Sequence, residues 1–359
     1  MKNLLYIIFI VFLSISCQQQ HSREGAIYLG ATEQSMPLDS LFSGINLIYM
    51  EESDSFFMGA INKIIKNESV YYLLDSEKSK SIFAYNDHGN YIAKYYARGG
   101  GPREYASILD FDIDTIRDEI VILCAPSKLI ITDLRLSFKE EVSLNGDYYD
   151  RMVIVEDNIF LFSYYNEIIG KYDRNGKLVN KTHIPNKLIK GNIFHPQPVF
   201  YKMSDKCLMQ SPGDDLIYKE ENGEWIEYLY LDYENRIGSM KLYTQTNEEE
   251  ITFEDKISNP LPYIKYFFEY GEKEYFVYLL GVLHYLSDRE NNFLFSELPG
   301  RSFNYHKGHL YAWEYLSNFN LENPVHNQQL RNIEIKTSGS KQINELGDGI
   351  LLIDYVFNK

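Results

Sequence analysis

The sequence predicts an all-β fold, and three observations carry that prediction. Apolar residues come in short runs separated by turn residues, with hardly any 3.6-residue periodicity. Aromatic residues make up 15% of the chain, with 31 Tyr and 21 Phe, and such side chains favour pleated surfaces. The runs recur as one unit: a strand, a turn, a second strand, a turn carrying Gly, Asp or Asn, and a third strand.

The N-terminal residues carry an address. Lys2 provides a positive start, residues 4–13 are an unbroken apolar run, and Ser14, Ile15 and Ser16 precede Cys17. A run of about ten residues is too short to span a bilayer, so residues 1–16 read as a secretory signal peptide. A cysteine directly after such a run resembles a bacterial lipobox, although Leu13 lies one place further from Cys17 than that pattern prefers. Cys17 is therefore the expected lipidation site and the link to the membrane. Residues 17–36 are the expected lipidated tether, and residues 37–359 form one folded domain.

The first strand outside the repeat covers 44–50. The clearest repeat follows, with strands at 70–75, 81–85 and 91–96, and with 59–65 as a fourth. Further copies place strands at 120–123, 129–133 and 138–144, then at 159–162, 168–172 and 178–184. The fourth copy has strands at 207–210, 216–218 and 225–231, and the fifth at 275–280, 283–286 and 293–295. A sixth begins at 310–313. The units start near residues 70, 120, 159, 207, 275 and 309, a mean step of about 48 residues, the pitch of four-stranded propeller blades. Six such blades make a six-bladed β-propeller, whose closed ring removes exposed sheet edges. The apolar strand at 350–357 and the strand at 44–50 are the pair expected to close it. Two polar stretches, 235–259 and 321–347, interrupt the pattern and read as loops or short helices.

Between the first two blades lies Arg98-Gly99-Gly100-Gly101-Pro102-Arg103-Glu104-Tyr105. Three glycines and a proline force a sharp crossover. At least one of Gly99, Gly100 and Gly101 is expected at positive φ, with Pro102 starting the crossover. Glu104 and Tyr105 are expected to be buried where the blades meet, with Arg98 or Arg103 as the carboxylate's partner.

With these residues in place the chain resembles the six-bladed β-propeller lipoproteins of Bacteroides-type bacteria, relatives of NHL-repeat propellers. The likeness rests on Cys17, the segment Pro37-Leu38-Asp39-Ser40-Leu41-Phe42, the Gly-x-Gly-Pro-x-Glu-Tyr motif at 99–105 and the apolar C-terminal strand. It implies a fold and a lipid-anchored location in the bacterial cell envelope, at its periplasmic face or on the outer-membrane surface, more than an activity.

No catalytic signature is present: there is no Gly-x-Ser-x-Gly elbow, P-loop or His-Glu-x-x-His. Asp110, Asp112 and Asp114 share one face of a strand and are expected to face the channel. Calcium is the cofactor that such a row would suit, but an EF-hand needs Gly and Glu where Thr115 and Val121 stand. No other metal or cofactor is expected. His306 and His309 lie in a turn, without ligand neighbours. Cys124 and Cys207 sit in apolar runs, as buried free thiols do. The net charge of −16, with no basic cluster, argues against nucleic acid as a partner. The function expected is a non-catalytic binding or scaffolding propeller for a protein, peptide or glycan. The alternative is an envelope hydrolase or lyase with a metal in the channel. Four or more His, Asp or Glu side chains converging at the channel mouth would favour the enzyme, and mixed Tyr, Lys and backbone groups would favour binding.

Overall fold

A computed structural model describes residues 26–30, 32–52, 58–144, 147–184, 199–203, 205–211, 216–233, 263–280, 283–295, 298–306, 308–319, 333–338 and 349–358. Cys17 and the 235–259 stretch lie outside them.

Strands β1 (Ala26–Leu29) and β2 (Phe42–Tyr49) precede the first complete blade. Blade I comprises β3 (Lys63–Asn67), β4 (Val70–Asp75), β5 (Ser81–Asn86) and β6 (Tyr91–Tyr95). Blade II comprises β7 (Ser107–Asp114), β8 (Glu119–Ala125), β9 (Lys128–Asp133) and β10 (Phe138–Ser143). Blade III comprises β11 (Arg151–Val155), β12 (Asn158–Ser163), β13 (Ile168–Tyr172) and β14 (Leu178–His183). Blade IV follows with β15 (Phe200–Lys202), β16 (Cys207–Met209), β17 (Leu216–Glu221) and β18 (Glu224–Tyr233). Blade V contains β19 (Tyr263–Tyr270), β20 (Lys273–Leu280), β21 (Leu283–Ser287) and β22 (Asn292–Leu294). Blade VI is built from β23 (Arg301–His306), β24 (His309–Tyr315) and β26 (Ile350–Phe357), completed by β2, with β25 (Glu334–Ser338) outermost. The protein is a six-bladed β-propeller.

The strands read as continuous apolar runs because blades stack face to face and both sides of each sheet are buried. In β8, Ile120, Ile122 and Cys124 pack toward blade I, while Val121 and Leu123 pack toward blade III. Five apolar clusters join blades I–II, II–III, III–IV, IV–V and V–VI. A sixth joins VI back to I, setting Ile48, Tyr311, Trp313 and Leu352 against Ile64, Tyr71, Leu73 and Phe83.

Closure uses the two expected strands. β26 pairs antiparallel with β2, Ile45 opposite Tyr355 and Leu47 opposite Ile353, and on its other edge with β24. Two further strands were not expected. β25, inside the 321–347 stretch that reads as loop or helix, adds in parallel beyond β2, Asn46 opposite Lys336. β1 adds in parallel to β18, Tyr28 opposite Asp232, so part of the segment read as a tether is docked on blade IV. Beyond β1 the segment continues along blade V: the Tyr278 hydroxyl donates to the Gly30 carbonyl, and the Leu294 amide to that of Gln34.

The Gly–Pro segment is the crossover from β6 to β7, and its glycines act differently from expectation. None of Gly99, Gly100 and Gly101 is at positive φ; that conformation falls to Arg103, at 66°. At Gly99 the Glu104 carboxylate packs directly on the backbone: a Cβ there would lie 2.1 Å from Glu104 Oε2, so a side chain would displace that carboxylate. Glu104 is half-buried, and its carboxylate accepts the Gly101 N–H at 2.7 Å. Among the described residues neither Arg98 nor Arg103 pairs with it. The Arg103 guanidinium lies over the Phe138 ring, and its amide donates to Glu141. Pro102 is exposed. Tyr105 is buried between blades I and II; its hydroxyl donates to the Lys80 carbonyl at 2.6 Å and accepts the Ala97 N–H.

Cys124 and Cys207 are free and buried, on β8 and β16. Burial pushes the Cys207 thiol up to about 12 and the Cys124 thiol higher still, which leaves both unreactive.

Candidate binding site

The first strand of each blade is the innermost, and these strands pack on one another around the centre: β3 on β7, β7 on β11, β11 on β15, β19 on β23 and β23 on β3. Because neighbouring strands run antiparallel, the turns from first to second strand and from third to fourth strand open at one end of the ring. The Gly–Pro crossover lies at the other end.

At the first of these ends the inner strands enclose a cavity of about 180 Å³. Blade I contributes Lys63 and Lys66, blade II Asp112, blade IV Phe200 and Lys202, and blade VI Tyr305 and His306. Met152 and Val153 of blade III form part of its apolar wall.

Strand β7 brings a ladder of carboxylates to it. Asp110, Asp112 and Asp114 alternate with Phe111 and Ile113, which face blade I, so the acids are directed away from that interface. Asp110 Oδ2 accepts the Met152 N–H at 2.9 Å, and Asp112 Oδ2 accepts the Ile154 N–H at 2.8 Å, both from β11. Lys63 reaches Asp110 from blade I at 2.8 Å, and Lys202 reaches Asp112 from blade IV at 3.2 Å. Each of these two acids thus ties three blades together. Their side chains are 5% and 6% exposed against 27% and 37% for the lysines, so the lysines are the more accessible members of both pairs. Burial alone would raise the Asp112 carboxyl; Lys202, Lys63 and the amides of Ile154 and Ile113 outweigh it and hold the group below its usual value. Asp114 is buried at the end of the row and accepts from Arg117 at 3.0 Å. Of the three acids expected to face the channel, Asp112 lines the cavity.

His306 lines the cavity, whereas His309 turns away, its Nδ1 2.8 Å from Asp354 Oδ1. Among the described residues no group of three His, Cys, Asp or Glu side chains could hold a metal ion.

A larger cleft of about 620 Å³ opens at the same end between blades IV and V, and Tyr305 lines both spaces. Its three cations pair with acids of the same cleft. Glu274 accepts from Lys206, Arg289 and the Tyr228 hydroxyl, and Lys273 donates to Asp288 at 2.6 Å.

The sequence model of the family described as "Domain of unknown function (DUF4934)" matches residues 29–326. The chain belongs to that family. No curated protein matches it. Among solved structures, the DUF4934 chain is similar to a candidate exported protein of Bacteroides fragilis, at 15% identity and a TM-score of 0.69, over 93% of this chain and 100% of that one. It is also similar to a DUF4221 family member from Bacteroides vulgatus, at 12% identity and a TM-score of 0.50, over 89% and 97% of the two chains. At such identities the likeness is one of fold.

Lys63, Lys66, Lys202 and the charges of the outer cleft were not singled out from sequence. Their signal is positional: three lysines on first strands, which gains meaning only when the ring brings those strands together.

Proposed function

We propose that this DUF4934 propeller is an exported, lipid-anchored binding protein of the bacterial envelope, which holds a protein, peptide or glycan partner at the end of the ring where both cavities open. The observation that supports it most is the composition of the central cavity. Its one acid, Asp112, is taken by Lys202 and backbone amides, and the remaining lining is lysine, asparagine, Thr115, Tyr305, a single histidine, His306, and apolar side chains. A general acid–base pair or a metal site needs carboxylates or histidines free to meet a substrate. Calcium at Asp110, Asp112 and Asp114 is the weaker reading, since protein donors already occupy their oxygens. The exported relative of the same fold and the lipobox-like Cys17 support the location.

Two measurements test this reading. Cys17→Ala should move the protein from the detergent phase to the aqueous phase, or leave it as precursor; unchanged partitioning sinks the anchor. Affinity capture from an envelope extract should enrich a partner equally with and without EDTA. Metal-dependent hydrolysis of envelope peptides or glycans, lost on Asp112→Asn, would make the protein an enzyme instead.

A further inference from the structure

We propose, resting on the reading of the ring end as a binding site, that the central cavity receives the carboxylate of an acidic side chain from an extended segment of a partner protein. The charge at the cavity is opposite in sign to that of the molecule. The chain carries a net charge of −16, yet three lysines, Lys63, Lys66 and Lys202, line this space against one carboxylate, Asp112. The carboxylates of β7 do not exhaust them. Asp110 also accepts the amides of Phe111 and Met152, and Asp112 those of Ile113 and Ile154. An ammonium has three donors, and Lys63 and Lys202 each direct one to an aspartate. Lys66 has no carboxylate partner among the described residues; its Nζ rests 4.7 Å from the centre of the Tyr71 ring.

Size and wall chemistry narrow the ligand. A space of about 180 Å³ has the volume of roughly six waters, below the usual range for a whole small-molecule ligand. It suits one side chain. Ile65, Met152, Val153, Phe200 and Met203 supply an apolar wall beside the ammonium groups. A glutamate side chain, a short aliphatic stem ending in a carboxylate, satisfies both halves.

The test uses methionine-methyl NMR on the full chain, because Met152 and Met203 line the cavity while Met50 and Met58 lie between blades VI and I. The probes are acetyl-Gly-Glu-Gly-amide, its Gln counterpart and glucuronate. The Glu peptide should shift Met152 and Met203 and leave Met50 and Met58 unmoved, with the Gln peptide at least about tenfold weaker. Lys66→Gln, which breaks no ion pair among the described residues, should weaken the Glu peptide by about the same factor, and Lys66→Arg should restore most of it. Equal binding of the Glu and Gln peptides, or indifference to Lys66→Gln, overturns the proposal. Glucuronate binding more tightly than the Glu peptide overturns it in favour of an acidic saccharide. If Lys66→Gln still captures the envelope partner undiminished, this inference falls while the binding reading stands; loss of all capture by wild type sinks the binding reading itself.

Discussion

Asp112 accepts two amides and one ammonium in a buried position, so its charge organises structure more than it invites chemistry. Asp112→Asn keeps the shape but removes the charge and turns part of the acceptor into a donor facing the Ile154 N–H or Lys202. The expected loss at pH 7 is about 2 kcal/mol, the scale of hydrogen bonds to a charged group. The folded-state pKa is depressed, so the stabilisation is present above the unfolded carboxylate value and disappears as pH falls below about 4. Urea melts of both proteins should therefore differ most near neutrality and converge in acid. A gap that persists unchanged to pH 3 would mean that shape, not charge, is what the substitution disturbs. The acidic row was legible in the sequence as one face of a strand. Its partners were not, because Lys63 and Lys202 lie 47 and 90 residues away from the acids they meet. The three glycines likewise announce a sharp crossover, but not that Arg103 takes the positive φ or that Glu104 folds back over Gly99.

Among the elements, β26 bears the most on closure. It lies between β24 and β2, so it is the central ladder of blade VI, and its side chains enter the clusters on both sides of that blade. Deleting residues 350–359 removes both sets of ladder bonds and leaves β2 and β24 as open apolar edges, which pair with other chains. The truncated chain is expected in inclusion bodies or as soluble aggregates, read by size-exclusion chromatography after refolding. A monomer with an unchanged melting temperature would show that blade VI is dispensable. Removing residues 1–30 is expected to be far milder, because β1 pairs with a single strand at the edge of blade IV. The contrast explains what could be read beforehand. β26 and the hairpin strands announce themselves as apolar runs bounded by turns. β1 and β25 are short additions in parallel, with no hairpin turn to reveal a partner.

For the whole molecule, the decisive property is that no blade interface is terminal. Six apolar clusters follow one another around the ring, and the one between blades VI and I is as buried as the others: Ile64, Leu73, Phe83 and Leu352 have no measurable exposure. An open stack of blades would fray from its ends, and the N- and C-terminal strands would exchange their amides through local opening. In this ring β2 and β26 come from near the two ends of the chain in sequence, yet they are interior members of a continuous core. Their amides should exchange only when the whole ring opens. Hydrogen exchange with mass spectrometry can compare peptides covering 42–49 and 350–357 with the 119–125 peptide of blade II, which lies two blades away from the closing blade. Equal protection is expected, with all three losing it together as denaturant is added. If the closing strands exchange about a hundredfold faster than 119–125, a difference of about 2.7 kcal/mol in opening free energy, then blade VI is a separable clasp. The central cavity, which takes Lys63 and Lys66 from one side of that closure and Tyr305 and His306 from the other, would then exist only while the clasp is shut.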